Sequence, residues 1–208
     1  MRFEPADILP DGRVVSPSAE RNKGPIAELL MRVLPEQGDV LEISSGTGQH
    51  VLHFAQAMAH LRFQPTEPDA DNLKSITAWL ASASLPNVNA PIHLDVRDEI
   101  WPVGKVAAVI CLNMIHIAPQ SATEALLRGA ARVMDSGGIL FLYGPYRRQG
   151  RHISASNEAF DALLRARNPE WGVRNLEDVA LLAASEGLKL QEIHDMPANN
   201  LAIIFRKQ

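Results

Sequence analysis

The 208-residue chain has a single cysteine, Cys111, so no intramolecular disulfide can form. That scarcity fits a reducing, cytoplasmic setting. No apolar run approaches the ~20 residues that cross a bilayer, and no membrane association is expected. Residues 1–9 carry Glu4 and Asp7 and lack an apolar h-region, which argues against a secretory leader. Positive charge is not in excess either: 20 Lys and Arg against 24 Asp and Glu leave a net charge of −4. Phosphate neutralisation supplies much of the affinity for long nucleic acids, so this balance weighs against a DNA or RNA substrate. Internal repeats, low-complexity segments and linkers are absent too, and one domain over residues 1–208 is expected.

What is present is ordinary globular composition, 46% apolar and 21% charged, in a chain long enough to bury a substantial core. Residues 1–18, with Pro5, Pro10, Gly12 and Pro17, read as an irregular arm. A helix follows over about residues 19–34, with Ile26, Leu29, Leu30 and Val33 at helical spacing, Ser16 or Ser18 as cap, and Pro35 and Gly38 as stop. Arm and helix together form an expected N-terminal lid, residues 1–34. Strands at 39–44, 61–66, 89–94 and 106–113 then alternate with helices at 49–59, 69–82 and 119–134. The Gly137-Gly138 turn opens a fifth strand, 139–143. Helices at 157–167 and 176–185 lead to a closing strand pair, 188–194 and 201–205. This alternation predicts an α/β fold with a mostly parallel sheet, and the last pair, with no helix between, predicts an antiparallel C-terminal edge.

The most informative run is VLEISSGTGQH, residues 40–50, where the first strand of the alternation passes into a helix. In open α/β sheets ligands bind outside the carboxyl ends of the strands. Gly46 and Gly48 admit a close ligand approach, and the helix amides can hold a carboxylate. A dinucleotide fingerprint needs a third glycine where Val51 stands, and no Lys-Ser or Lys-Thr follows Gly48 to make a P-loop. Glu42, near the strand end, suits a cationic sulfonium amino acid better than a pyrophosphate. Glu67, followed by Pro68 at the end of the next strand, can accept from both ribose hydroxyls. Asp95 can accept from an adenine amino group while Val96 donates its backbone amide. Each acid alone reads equally well as a solvated turn residue. Three acids at three successive strand ends, beside a glycine turn, point to one site.

The chain resembles the class I S-adenosylmethionine-dependent methyltransferases, and most closely the methyltransferase-like group catalogued as domain of unknown function 938. The segments that carry this are SPSAERNK (16–23), LEISSGTGQH (41–50), NMIHIAP (113–119), YGPY (143–146), SN (156–157) with FD (160–161), PEWGVRN (169–175) and MPANNL (196–201). The resemblance implies a Rossmann-like, doubly wound, seven-stranded sheet and S-adenosylmethionine as cofactor. It also implies that the fourth strand ends beside the methyl group, which makes Asn113 and Met114 cofactor neighbours. Many class I enzymes place Gly where this chain has Ser44, whose side chain narrows the methionine end of the pocket.

Methyl transfer is largely positioning, and a general base is needed only when the acceptor must lose a proton. His116, Asn113 and Tyr146 are the catalytic candidates. His116 reads either as a base or as an imidazole hydrogen-bonded into a turn. Tyr143 and Tyr146 are candidates to line an acceptor pocket, and Arg147, Arg148 and Arg151 either hold an anionic substrate or are solvated. In the polar run 20–23, Arg21 or Asn22 is expected to meet the cofactor carboxylate or the substrate; the bland reading is a solvated first helical turn. His50 and His53 lack a third ligand, so no metal is expected. Cys111 and the tryptophans Trp79, Trp101 and Trp171 read as packing residues, with Trp101-Pro102 placed to close over the adenine. No Asn-Pro-Pro-Tyr motif of base methylation is present. The leading expectation is a methyltransferase with a small-molecule acceptor, as a monomer or homodimer. A regulatory S-adenosylmethionine-binding protein without transfer activity is the alternative, and an NAD enzyme is disfavoured by Val51.

Overall fold

A computed structural model describes residues 6–208. The part of the expected arm in residues 1–5, Pro5 included, lies outside the described residues. The elements alternate as the hydrophobic pattern requires. After β1 (Asp7–Ile8) and β2 (Val14–Val15) come α1 (Pro17–Val33), β3 (Gly38–Ile43), α2 (Gln49–Ala57), β4 (Leu61–Glu67), α3 (Ala70–Ala83), β5 (Ile92–His93) and β6 (Val106–Leu112). Then follow α4 (Gln120–Val133), β7 (Met134–Gly144), β8 (Tyr146–Arg148), β9 (Arg151–His152), α5 (Ala155–Arg167), β10 (Arg174–Asn175), α6 (Leu176–Ser185), β11 (Leu188–Met196) and β12 (Asn200–Lys207). Seven strands form one sheet in the order β11-β12-β7-β6-β3-β4-β5, parallel across β3, β4 and β5 and antiparallel across β7, β12 and β11. The antiparallel C-terminal edge is thus as expected. Two compact units divide the described chain, residues 6–110 and residues 111–208.

In the first unit, β3 and β4 are buried on both faces, as parallel strands flanked by helices must be. Asp69 caps α3, its carboxylate accepting from the amides of Asp71 and Asn72. The N-terminal arm is not irregular throughout. β1 and β2 pair as a small hairpin, and α1 starts at Pro17, in the first helical turn where a missing N–H costs nothing. Ser16 occupies the cap position, but its hydroxyl bonds to Ser18 and not to a helix amide. The arm is pinned by Trp79 Nε1 donating to Val14 O at 3.0 Å and by Val14 N donating to Ser75 Oγ at 2.9 Å. Arg13 stacks over the Trp79 ring at 4.7 Å.

The third strand of the alternation is much shorter than the expected 89–94, and Pro65 supplies the reason. Phe63 bonds toward this edge, accepting from Asn89 N and donating to Asn87 O. Two residues on, Pro65 faces the same way with no N–H to give. The Gln64 side chain donates to Ala90 O at 2.8 Å instead, and the ladder resumes only at Thr66 opposite Ile92.

In the second unit, the Gly137-Gly138 pair lies inside β7 and does not open it. Gly137 takes a left-handed φ of 81°, and Arg206 donates to Gly137 O at 2.8 Å. β8, β9 and β10 form a separate three-stranded sheet, order β10-β8-β9, in a stretch that reads from sequence as loop. Phe160, Leu164 and Val173 pack together beneath Trp171.

Candidate functional site

In residues 6–110 the glycine turn is built on three successive left-handed positions, Ser44 (φ 52°), Gly46 (φ 55°) and Gly48 (φ 93°). Gly48 is fixed by a close approach as well: a Cβ there would lie 2.9 Å from the Ile76 backbone of α3. Glu67 staples the turn from the end of β4. It is buried, and its carboxylate accepts from Gly46 N at 2.9 Å and from Asp69 N at 3.2 Å. Asn72 Nδ2 adds a longer contact at 3.4 Å. A carboxylate has about four lone-pair directions, so acceptor capacity remains for one more donor such as a ribose hydroxyl. Ser45 N donates to Thr66 O, and Thr66 Oγ1 to Glu42 O, which ties β3 to β4 at their ends.

Glu42 is 1% exposed, and neither of its oxygens has a hydrogen-bond partner among the described residues. Burial, opposed by the neighbouring Ser45 hydroxyl and aided by the charge of Glu67, pushes its carboxyl up to about 8. A carboxyl held this way is strongly favoured by any cationic ligand that reaches it.

Of the other expected residues in this unit, Asp95 is engaged by its neighbour: Arg97 donates to both carboxylate oxygens, at 3.0 and 2.6 Å, and holds the group below the usual carboxylate range. Val96 O accepts from the buried Trp101 indole at 3.2 Å. Pro68 follows Glu67 directly. Asn22 is committed to His50, whose ring nitrogen lies 2.7 Å from Asn22 Oδ1; burial drives that imidazole down to about 4. Arg21 is exposed. What sequence reasoning missed is Gln49, whose amide accepts from Ser16 N and Thr47 Oγ1 and donates to Glu20. One side chain thereby joins the arm, α1 and the glycine turn.

Residues 111–208 gather the other candidates. Asn113, left-handed at φ 60°, ends β6 and donates its amide to Tyr143 O. A single 3-10 turn, Met114–His116, follows. Among the described residues neither nitrogen of the buried His116 ring has a hydrogen-bond partner, and burial takes it down to about 3, with Arg174 contributing. It meets the Tyr146 ring edge-on, centroids 5.2 Å apart. The buried Tyr146 hydroxyl has no partner among the described residues either, and burial raises its pKa further above an already high value. Gly144 makes this packing possible, because a Cβ there would fall 2.3 Å from His116 Nε2 and 3.2 Å from Asn113 Oδ1. Tyr143 OH is held by Asn200 Nδ2 at 3.0 Å.

Arg174 anchors the His116 loop. Its guanidinium donates to Ile115 O at 2.9 Å, to Ala118 O at 2.5 Å and to Glu170 O at 3.1 Å, while Gly172 N donates to His116 O. Asp161 secures the same segment by accepting from Val173 N at 2.6 Å. Gly172, Arg174 and Asp161 all fall in strings that the family resemblance rests on, but no spacing rule assigns them this bracing role.

Residues 13–207 match the family described as "Protein of unknown function (DUF938)". The chain belongs to that family. Over 125 residues, 58% of this chain and 45% of the relative, the DUF938 chain is 29% identical to a dTDP-3-amino-3,6-dideoxy-alpha-D-glucopyranose N,N-dimethyltransferase of Streptomyces fradiae. Its fold is similar to that of an O-methyltransferase family 2 protein from Planctomyces limnophilus DSM 3776 in complex with apigenin. There the TM-score is 0.78 at 15% identity, covering 92% of this chain and 58% of that one. A methyltransferase of calicheamicin biosynthesis in its SAH-bound form gives a TM-score of 0.72 at 15% identity, covering 92% and 54%. The chain therefore has the Rossmann-like α/β fold of these structures and spans about half the length of the proteins it matches.

Proposed function

We propose that this chain binds S-adenosylmethionine and transfers its methyl group to a small molecule. The observation that carries the reading is the pair of buried acids beside the glycine turn. Glu67 braces the turn and keeps acceptor capacity for a ribose hydroxyl, while Glu42 is buried with no hydrogen-bond partner among the described residues. That pair of acceptors favours a cationic amino acid and a nucleoside over a pyrophosphate. The fold of the neighbouring structures, and the methyltransferase names they carry, support the same reading. When bound, the cofactor supplies an electrophilic methyl group on a sulfonium. The chain's own residues bind and orient. Ser44, Gly46 and Gly48 give the backbone approach, Glu42 the counter-charge and Glu67 the acceptor for hydroxyls. Asp95, already bidentate with Arg97, serves only if Arg97 yields.

His116 and Tyr146 are assigned to the acceptor. The His116 imidazole is neutral at pH 7, so an unpartnered nitrogen can accept a hydrogen bond from an acceptor hydroxyl or amine. Its low basicity makes orienting the nucleophile its main contribution, and orientation is what methyl transfer chiefly requires.

Calorimetry tests the cofactor half. S-adenosylhomocysteine is expected to bind and NAD to give no heat. Binding of NAD with no response to S-adenosylhomocysteine would overturn the assignment. Incubation with methyl-labelled S-adenosylmethionine and fractionated cell extract then tests transfer. Label retained wholly on the cofactor would favour a binding protein without activity.

A further inference from the structure

We propose that the Arg147–His152 face of the small β10-β8-β9 sheet binds an anionic oxygen group, a carboxylate or a phosphate monoester, carried by a small molecule. β8 and β9 are joined by the two-residue loop Gln149-Gly150, with positive φ at both positions (51° and 74°). That turn fixes the register: Arg147 lies opposite His152, and Arg148 opposite Arg151. Opposed residues share a face, and successive residues alternate faces, so the basic run divides into two pairs on opposite sides. Like charges placed directly opposite destabilise a strand pair. Arg148 and Arg151 meet this in water, where both are exposed and Asp195 lies 3.6 Å from Arg148.

The other pair has no such relief. Arg147 and His152 are half-buried, and Arg147 Nε and His152 Nδ1 are both buried without a hydrogen-bond partner among the described residues. The acceptors of the flanking elements are engaged. Asp161 takes Val173 N and Arg165 Nε and lies 3.5 Å from His152 Nε2. Asn175 Oδ1 takes Gly150 N, and Glu177 Oε2 takes Gln149 N. A buried guanidinium edge with no acceptor is costly. Nε and the adjacent Nη form a planar fork that matches two oxygens of one carboxylate or phosphate. With Asp161 on Nε2, the imidazolium form of His152 has its second N–H left for the same anion. This site rests on its own geometry and stands whether or not the chain transfers methyl groups.

The test is a ligand-observed NMR titration of the full chain with benzoate, phenyl phosphate and neutral benzamide at fixed salt. At least one anion is expected to bind about tenfold or more tightly than benzamide, and the two anions separate carboxylate from phosphate preference. Arg147→Met should abolish the preference, and Arg147→Lys should lose most of it by removing the fork while keeping the charge. His152→Gln should reduce it several-fold, and Arg151→Met should leave it intact. Thermal melts report whether each variant is folded, and His152→Gln decides the matter if the Arg147 variants are not. Equal affinities for anion and benzamide, no saturable binding of any probe, or an equal loss in Arg151→Met would overturn the proposal.

Discussion

In residues 6–110 the chain supplies partners for nearly all of its own buried polar groups. Thr66, Ser75, Gln49 and Glu67 all bond to backbone or side chains of the same unit, and among the described residues only the Glu42 carboxylate is left unpartnered. Residues 111–208 differ. There His116, Thr123, Tyr146, Arg147, His152 and Asn200 each keep at least one buried polar atom without a partner. Buried polar groups in folded proteins are overwhelmingly satisfied, so each such atom asks for a ligand or a water. The first unit braces its turn with its own hydrogen bonds, whereas the second leaves several buried polar atoms outside the hydrogen bonds of the described residues.

Two glycines, one in each unit, give the largest expected effect. Gly144→Ala drives a methyl group into the His116 ring and should destabilise the protein by about 3 kcal/mol. Gly46→Ala meets open space and bears only the left-handed strain, about 1 kcal/mol. Chemical denaturation of both variants measures the difference; equal losses would erase the contrast between a packed glycine and a conformational one.

Next comes Glu67→Ala, which removes the acceptor of Gly46 N and should weaken S-adenosylhomocysteine binding by about 1–3 kcal/mol in a folded protein. An unchanged dissociation constant takes Glu67 out of the site.

Glu42 sharpens the comparison through pH. Its carboxyl titrates near 8 in the folded chain against an ordinary 4.5. Between those values the folded state holds a proton that the unfolded state has released, so this group's contribution to stability falls as pH rises from about 4.5 to about 8 and is level outside that window. Glu42→Gln should flatten this slope and so gain on the wild type at pH 8, with no gain at pH 4. Saturating S-adenosylhomocysteine, whose ammonium group the proposed function places on this carboxylate, should reverse the sign. A wild-type melt that is flat over this range excludes the buried, unpaired state.

The smallest effect is at the arm. Trp79→Phe removes the hydrogen bond to Val14 O and weakens the stacking of Arg13, about 1 kcal/mol. Trypsin should then cut at Arg13 faster than in the wild type, with or without ligand. Protection that depends on ligand alone would support the reading of the arm as a lid.

The first unit was the more legible from sequence because its signals are local. A strand-end acid, glycines spaced by one and a second acid at the next strand end lie within 26 residues, from Glu42 to Glu67. Val106–Leu112 and the closing strand pair declare themselves by hydrophobic pattern. The second unit's site depends on contacts between distant segments. Arg174 reaches 59 residues back to Ile115, and Asn200 reaches 57 back to Tyr143. The strands β8, β9 and β10, of two or three residues, are too short for any alternation to register. Pro65 was visible, but its effect on β5 depends on which way the residue faces in the ladder. The contact of Asn22 Oδ1 with His50, 28 residues on, follows from no local pattern in the sequence.

Arg174 has a consequence for how the His116 loop moves. The carbonyls of Ile115 and Ala118 are held by a guanidinium in place of a helix or sheet ladder. When the segment opens, these bonds and that of Gly172 N to His116 O must break together, so its amides should exchange with solvent as a group. Access to the buried imidazole then becomes a rate, to which the arginine on β10 contributes.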